Sequence, residues 1–265
     1  IDVTFENGTS TTGTVTCTYN TNGAETCQNK ANGNWYTHPA FTLGDTELKG
    51  IWVGKFKTTG NATTPTIKPD IAFLKDITIA TMYSTGQLFR TTNYLTTNGI
   101  NQTDSHMMKN IEWGAIAYLK QSNYGLGLTD ISINSKGSSY KNNVAQSITG
   151  NITGIYDTAN GPWEYVMGNY AKTAGKSGLT VSTVSTQYID IYNGRSVSAS
   201  HLGDATGETA GWYNDFVNFV GSWSWFTRSG NYLEGGLGRG VFSFSCGEGN
   251  ANSNYSFRVA LSVKE

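Results

Sequence analysis

The sequence predicts a mixed α+β protein with two helices, short antiparallel strands and much irregular loop. Three observations lead to this class. Apolar residues recur at three- and four-residue spacing in only two stretches, which indicates two amphipathic helices. Short alternating stretches separated by turn residues follow in the second half of the chain, which indicates strands. The 32 glycines, together with the absence of any internal repeat, leave much of the 265-residue chain to irregular backbone.

Residues 1–44 differ from the rest and predict a small β-rich lead-in, followed by a larger domain over residues 45–265. Asn22–Gly23 lies between two arms rich in Thr and Tyr, and Asn-Gly in this setting is a strong hairpin signal. Such a hairpin brings Cys17 opposite Cys27, where a disulfide is geometrically possible. We expect that bond and, with it, an oxidising compartment. Two reduced thiols on a loop are the alternative.

Two helices are predicted in the first half of the larger domain. The first, Asp70–Gly86, is the weaker prediction because residues 77–79 are all β-branched. The second follows Ser105, a good N-cap, and ends near Tyr124–Gly125. Its apolar face consists of residues at helical spacing, namely Met108, Ile111, Ala115, Tyr118 and Leu119.

The strand predictions begin with Glu47–Gly60, where Ile51 and Val53 alternate with Trp52 and Gly54. From about residue 126 onward, the chain predicts short strands joined by long polar loops. Those strands are Gly154–Asp157, Trp163–Met167, Gln187–Tyr192, Trp223–Arg228, Gly240–Ser245 and Ser256–Val263.

The composition excludes some classes of partner. Charged residues make up 14% of the chain and the formal net charge is -1, whereas charged residues are about 25% of an average soluble protein. The chain therefore lacks the broad basic face that binds nucleic acid. No apolar run is long enough to cross a bilayer, so we expect no membrane contact by this fragment. Abundant uncharged polar residues and a 12% aromatic share are typical of extracellular binding proteins.

Four landmarks occur in a fixed order. They are GIWVGKFKTTG (Gly50–Gly60), the pair Glu112–Trp113, TGIYDTANGPWEYVMGNY (Thr153–Tyr170), and WFTRSGNY (Trp225–Tyr232) followed by SFRVAL (Ser256–Leu261). This order resembles the formylglycine-generating-enzyme-like branch of the C-type lectin fold, over roughly residues 45 to 263. That family has a strand like MGKYEVT, a helix with EAEWEYA, a GLYDMxGNVWEW segment, an RGGSW motif and a terminal GFRxA. Two glycines of the pattern are replaced here, by Ser229 and Ser256.

Several motif positions are expected to be structural. Trp163 and Tyr165 alternate along a strand and should fill the core. Glu164 and Arg258 are candidates for a partly buried ion pair. Arg228 is expected to fix a loop by bonding backbone carbonyls through its guanidinium group.

The cysteines argue against catalysis. Formylglycine-generating members of the family bind copper with two closely spaced cysteines near the C-terminus, since soft thiolates hold Cu(I). This chain has only Cys246 in that region, and His38, His106 and His201 are scattered. We therefore expect a protein that is not an enzyme and has no cofactor, with the oxidase as the disfavoured alternative. A structural calcium ion is compatible with acidic residues such as Asp190, Asp204 and Asp215.

The same fold serves as a display scaffold in the variable proteins of diversity-generating retroelements, whose C-terminal frame this chain resembles. Those proteins keep the ends of the frame and vary chosen positions between them. Ser243 and Ser245 alternate with Phe244 and should therefore face outward. The ligand-contact residues that this resemblance implies are Asn231, Tyr232, Leu233, Glu234, Leu237, Arg239, Ser243, Ser245, Cys246, Glu248 and Tyr255.

The resemblance implies a binding protein that is extracellular or displayed at the cell surface. Its partner would be a protein or glycan on another cell or phage, contacted by Tyr and Arg anchors and by adaptable Ser and Asn side chains. Two other interpretations stay open. The chain can be a structural, pilin-like subunit, or its C-terminal loop can be a plain glycine-rich surface with a buried cysteine.

Overall fold

The computed structural model describes residues 16–19, 25–28, 38–48, 50–91, 103–134, 143–231 and 240–263 of the chain. Within these ranges the protein is α+β, with two α-helices, several antiparallel pairings in small sheets and much loop. The predicted fold class is therefore confirmed. Short 3-10 helices occur at Pro39–Phe41, Gln87–Thr91, Val144–Gln146, Val181–Thr183, Thr186–Tyr188, Val197–Ala199 and Trp212–Asn214.

The first helix, α1, spans Ile79–Gly86 and is shorter than predicted. Thr78 caps it, because its side chain accepts a hydrogen bond from the backbone N–H of Thr81 at 3.4 Å. The predicted start at Asp70 is wrong. Asp70 and Asp76 have φ angles of 57° and 63°, a left-handed conformation that a right-handed helix does not contain.

The second helix, α2, spans Asn110–Gln121. The predicted N-cap, Ser105, lies instead in a strand, and the first turn is closed by Glu112, whose Oε2 accepts from the backbone N–H of Lys109 at 2.8 Å. The predicted apolar face is wrong at Leu119, which is 36% exposed. Most residues of the helix are buried. At Gly114 the packing is so close that a Cβ would lie 1.8 Å from the carbonyl oxygen of Gly203. The chain therefore crosses directly over α2 at this glycine.

The strands are short. They are β1 Thr16–Tyr19, β2 Glu25–Gln28, β3 Thr42–Leu43, β4 Thr46–Glu47, β5 Trp52–Val53, β6 Thr59–Gly60, β7 Pro65–Thr66, β8 Thr103–Met107, β9 Trp163–Tyr170, β10 Asp190–Tyr192, β11 Trp225–Arg228, β12 Phe244–Gly247, β13 Tyr255–Phe257 and β14 Val259–Val263.

The largest sheet has the order β10-β9-β11-β12, with β13 also paired to β9. Strands β9, β11 and β12 are antiparallel neighbours, whereas β10 and β13 run parallel to β9. Strand β14 lies between β5 and β8 in a separate antiparallel sheet. Because β11 and β12 are antiparallel neighbours, the end of β11 and the start of β12 lie at the same end of the sheet, and the connection between them leaves the sheet there.

Six strand predictions need correction. The stretch Glu47–Gly60 is not one strand, because β4 ends at Glu47 and the strands that follow are only Trp52–Val53 and Thr59–Gly60. Trp223–Arg228 is a strand only from Trp225. Ser256–Val263 is divided between β13 and β14, which belong to different sheets.

The other three corrections concern turns and irregular backbone. Gly154–Asp157 is not a strand, and Asp157 has a positive φ of 63°. The segment Gln187–Tyr192 begins in a 3-10 turn and is extended only from Asp190. Gly240–Ser245 begins in a turn, so β12 starts only at Phe244. Irregular backbone replaces the whole of the first of these strands, and a turn replaces the start of the other two.

Two apolar clusters cover opposite faces of the largest sheet. Val166 and Phe226 belong to the cluster that contains the inner side chains of α2. Tyr165 and Met167 belong to the cluster that contains those of α1. Successive side chains of a strand point to opposite faces, so this division follows from the register of β9. The predicted burial of Trp163 and Tyr165 is confirmed.

Strands β1 and β2 form the predicted hairpin, and their register makes Cys17 and Cys27 direct Cα partners. This register satisfies the first requirement for a disulfide, which is close backbone approach. Within the described residues, neither α-helix has the length and apolar character needed to cross a bilayer.

Candidate functional site

The connection between β11 and β12 begins at a fixed point in the core. Ser229 and Gly230 have φ angles of 76° and 78°, so the chain turns sharply as it leaves β11. The carbonyl oxygen of Ser229 accepts from the backbone N–H of Asn160 at 2.5 Å, and its hydroxyl lies 3.0 Å from the Nζ of Lys57. Asn231 is also buried. The start of the loop is therefore held by residues far away in sequence.

The connection returns to the sheet through a tight turn over residues 240–243. The backbone N–H of Gly240 donates to the hydroxyl of Ser243 at 3.2 Å, and the N–H of Phe242 donates to Asp215 Oδ2 at 3.0 Å. A Cβ on Gly240 would lie 1.9 Å from that same Oδ2, so the close approach requires glycine. Burial raises the pKa of Asp215 to about 7. Both ends of the loop are thus anchored by side chains from other segments.

The segment that supplies Asp215 is strained. Tyr213 and Asn214 have φ angles of 55° and 58°, and such a conformation is unusual for a bulky residue. The Tyr213 hydroxyl donates to Gln121 Oε1 at 2.9 Å, and the Nζ of Lys120 lies 3.8 Å from the centre of its ring. Strain of this kind clusters at functional sites in many proteins. Here it lies next to the returning end of the β11–β12 loop.

This segment also covers the free edge of β12 and exposes apolar side chains. The backbone N–H of Phe244 donates to the carbonyl of Phe216 at 3.0 Å, and that of Asn218 donates to the carbonyl of Phe244 at 2.9 Å. Phe216 and Val217 remain 37% and 39% exposed. The sequence interpretation missed them, although two adjacent apolar residues within the polar stretch YNDFVN were a readable signal.

Three of the predicted contact residues lie beneath the surface. Ser243 is fully buried, so the prediction that it faces outward is wrong; it sits in the turn before β12, where strand alternation does not apply. Cys246 is 8% exposed, and Asn218 Nδ2 lies 3.5 Å from its sulfur. Burial raises the pKa of this thiol. Asn231 is the third. Ser245 faces away from Phe244, as predicted, and is half-buried.

Glu248 and Tyr255 lie away from the loop ends. Gly247 is about 10 Å along β12 from Phe244, and Glu248 follows it. Glu248 Oε2 pairs with the Nζ of Lys176 at 2.7 Å. Tyr255 starts β13, which β9 and β11 separate from β12, and its ring centre is 4.3 Å from that of Tyr165. The predicted set is therefore divided between two regions of the sheet.

The remaining predicted contact residues lie outside the described residues, and they are Tyr232, Leu233, Glu234, Leu237 and Arg239.

The predicted ion pair forms a buried centre in the core. Arg258 Nε and Nη2 donate to Glu164 Oε2 and Oε1 at 3.1 and 2.9 Å, and both side chains are fully buried. Arg258 also donates to the carbonyls of Gly54 and Tyr156 at 2.5 and 2.8 Å. The ion pair is confirmed and is more deeply buried than predicted. Arg228 donates to the carbonyl of Ala205 at 3.0 Å, which confirms its predicted role in holding a loop.

The histidines are engaged in structural contacts. His106 Nδ1 lies 2.6 Å from Asp104 Oδ2, and its Nε2 lies 2.8 Å from Glu112 Oε1. Burial alone lowers the pKa of His106, but the two carboxylates outweigh it and raise the pKa to about 9. His38 contacts the backbone of Ala40 and Gly203 at 3.0 and 2.9 Å, and burial lowers its pKa to about 4. His106 is therefore a cation at neutral pH, and His38 is neutral.

The acidic residues considered for calcium bind protein groups. Asp190 Oδ2 accepts from the backbone N–H of Ile111 at 2.8 Å. Asp204 accepts from the N–H and hydroxyl of Thr206 and from the hydroxyl of Tyr192. Among the residues described, no three His, Cys, Asp or Glu side chains are grouped as a metal site would require.

Comparison with known proteins adds no assignment. No protein-family model matches the chain, and no curated protein is significantly similar to it in sequence. The class that the structure defines, over the residues it describes, is a mixed α+β protein with several small sheets.

Proposed function

We propose that this chain is a non-catalytic, surface-displayed binding protein whose β11–β12 loop carries a diversified ligand-contact region on a C-type-lectin-like scaffold. One observation carries the proposal. Both ends of the loop are held by groups from other segments, the buried Lys57 and Asn160 at one end and the partly buried Asp215 at the other. Residues 232–239 can therefore vary without removing the described contacts that hold the ends.

The chemistry of the surroundings fits a contact surface. Phe216 and Val217 offer exposed apolar area beside the loop end, and apolar and aromatic anchors dominate interface energetics. Tyr232 and Arg239 are the proposed anchors within the loop, since Tyr and Arg are enriched at hot spots. Asn231, Ser243 and Cys246 are buried, so the proposed contact surface does not include them. The ligand is a protein or glycan on another cell or on a phage.

Location outside the cell is part of the proposal. The register that pairs Cys17 with Cys27 supports a disulfide, which persists in oxidising compartments. The low share of charged residues supports a surface that works through hydrogen bonds and aromatic area.

Cell binding tests the proposed function directly. Fluorescently labelled protein is applied to a panel of intact bacterial cells and to a glycan array, and binding is compared with that of the double variant Tyr232→Ala/Arg239→Ala. We expect the double variant to lose at least about 90% of any signal without a change in Tm, since hot-spot truncations cost 2 kcal/mol or more.

A matched control separates contact from general stickiness. Ile152 is an exposed apolar residue at 53%, and no described contact joins it to the loop ends, so Ile152→Ser should bind as the parent does. Equal binding by the parent and the double variant would contradict the proposal. The flanking DNA gives an independent test, since the proposal expects a reverse transcriptase gene and a near-copy of the C-terminal coding segment that differs at adenines.

A further inference from the structure

The ammonium group of Lys57 lies in a cage of oxygen atoms. It donates to the carbonyl oxygens of Asn160 and Pro162 at 2.9 and 2.5 Å and to the hydroxyl of Ser229 at 3.0 Å. Glu164 Oε1 lies 3.6 Å away, and both charged side chains are fully buried. Every polar contact described for this ammonium is therefore with an oxygen.

A second carboxylate, on the segment that supplies the cage carbonyls, has an oxygen without a partner. Asp157 Oδ1 accepts from Asn134 Nδ2 at 2.8 Å, whereas Asp157 Oδ2 is buried without a hydrogen-bond partner. The Oδ1 of Asn160 is likewise buried and unpartnered. Burial raises the pKa of Asp157 to about 6, although the positive charge of Lys57 acts to lower it. Buried polar atoms normally have partners, so two orphaned oxygens on the segment that supplies the cage carbonyls need an explanation.

The composition of the cage matches the ligands of a hard divalent cation. Ca2+ takes 6–8 oxygen ligands from carboxylates, backbone carbonyls and side-chain oxygens in flexible geometry. Here two carbonyls, a hydroxyl and a carboxylate surround Nζ, and Asp157, three residues before Asn160, carries a further carboxylate in the segment that supplies the carbonyls. Mg2+ demands nearly ideal octahedral geometry and retains waters, which suits such an irregular cage poorly.

We infer that these oxygens form a cation-binding cage that the chain fills with its own Lys57 ammonium, and that removing this ammonium leaves a site for Ca2+. The tethered charge takes the place of a free ion and joins the segment 157–164 to the start of the β11–β12 loop. An ammonium directs only three N–H groups, and here they meet Asn160, Pro162 and Ser229. The orphaned Asp157 oxygen is the ligand that a larger, non-directional cation gains.

The variant Lys57→Ala tests the inference through thermal stability. In EGTA we expect its Tm to fall by at least about 5 °C relative to the parent, because two buried carbonyls and a buried hydroxyl lose their charged donor, and Glu164 keeps only its pairing with Arg258 among the described groups. Adding about 1 mM CaCl2 should restore at least half of that loss, since a ligand that binds only the folded state raises Tm. The same concentration of MgCl2 should restore much less. The parent, whose cage is occupied, should show no Ca2+ response.

Two further variants make the test specific. Lys120→Ala also removes a buried ammonium, but that ammonium lies 3.8 Å from the ring of Tyr213 and has only Gly127 and Gln121 as oxygen partners. Its Tm loss should not respond to Ca2+. Lys57→Ala/Asp157→Ala should lose the Ca2+ rescue because a proposed ligand is missing.

Direct binding provides a second readout. Tb3+, a luminescent substitute for Ca2+, should be sensitised by the nearby aromatic rings in Lys57→Ala and not in the parent. If Lys57→Ala does not fold in EGTA, its refolding from urea should require Ca2+. The inference is wrong if Ca2+ neither raises the Tm of Lys57→Ala nor restores its folding, or if Ca2+ stabilises the parent equally.

Discussion

Replacing Arg258 with methionine removes the positive partner of a fully buried carboxylate. The guanidinium group donates two hydrogen bonds to Glu164 and one each to the carbonyls of Gly54 and Tyr156. Methionine is similar in length and apolar, so the space stays filled while all four bonds are lost. The remaining Glu164 charge keeps only the ammonium of Lys57, at 3.6 Å.

The expected cost follows from this geometry. Removing one member of a buried ion pair destabilises a protein by about 3–5 kcal/mol, because the other charge stays buried and uncompensated. For a domain of this size each kcal/mol corresponds to about 2–4 °C, so Tm should fall by about 6–20 °C. Urea unfolding followed by tryptophan fluorescence measures the loss of free energy, with an unchanged m-value as the two-state check.

A double-mutant cycle distinguishes the ion pair from general loss of packing. Arg258→Met/Glu164→Leu removes both charges, so it should cost less than the sum of the two single variants. The exposed Arg195→Met serves as a control and should change stability by less than about 0.5 kcal/mol. A loss below about 1 kcal/mol for Arg258→Met, or strict additivity in the cycle, would refute the reasoning.

Three further predictions follow from described contacts. The pKa of His106 is raised from 6.5 to about 9, so its charge should contribute stability that is fully present below pH 6.5 and lost as the pH rises through 9. The urea midpoint should therefore change less with pH across this window in His106→Gln than in the parent. Gly240→Ala should cost about 1–3 kcal/mol by urea unfolding, since its Cβ meets Asp215 Oδ2 at 1.9 Å, and Asp215→Ala should relieve part of that cost. Cys246 should resist a thiol reagent until unfolding, when the unreduced chain should expose one thiol if Cys17 and Cys27 are bonded; three thiols would contradict that bond.

Much of the local structure could be read from neighbouring residues. The Asn22–Gly23 pair predicted the pairing of β1 with β2 that makes Cys17 and Cys27 partners, and the alternating stretch around Trp163 forms β9, the central strand of the largest sheet. The pairing of Glu164 with Arg258 could also be inferred, since two charged residues within otherwise apolar strands need each other when buried. For the hairpin and β9, residue type and spacing over a few positions were enough to predict the structure. For the ion pair, which joins residues far apart in sequence, residue type was enough.

The ends of elements were less predictable. Ser105 has the chemistry of an N-cap, yet it lies in β8, where its neighbours pair with β14. The start of α1 lies later than predicted because Asp70 and Asp76 adopt left-handed backbone angles. Ser243 was assigned an outward orientation from strand alternation, but it precedes the strand. Such boundaries depend on contacts with distant segments, which local propensity does not contain.

By itself, the sequence determined the fold class, the hairpin, the main strands and the charged residues that must be paired. The tertiary structure decided which groups meet across the chain. Lys57 reaches Asn160 and Ser229, which are 103 and 172 residues away, and these contacts create both the oxygen cage and the anchored start of the β11–β12 loop. Packing selects such partners because a buried ammonium must find oxygens wherever the fold brings them together.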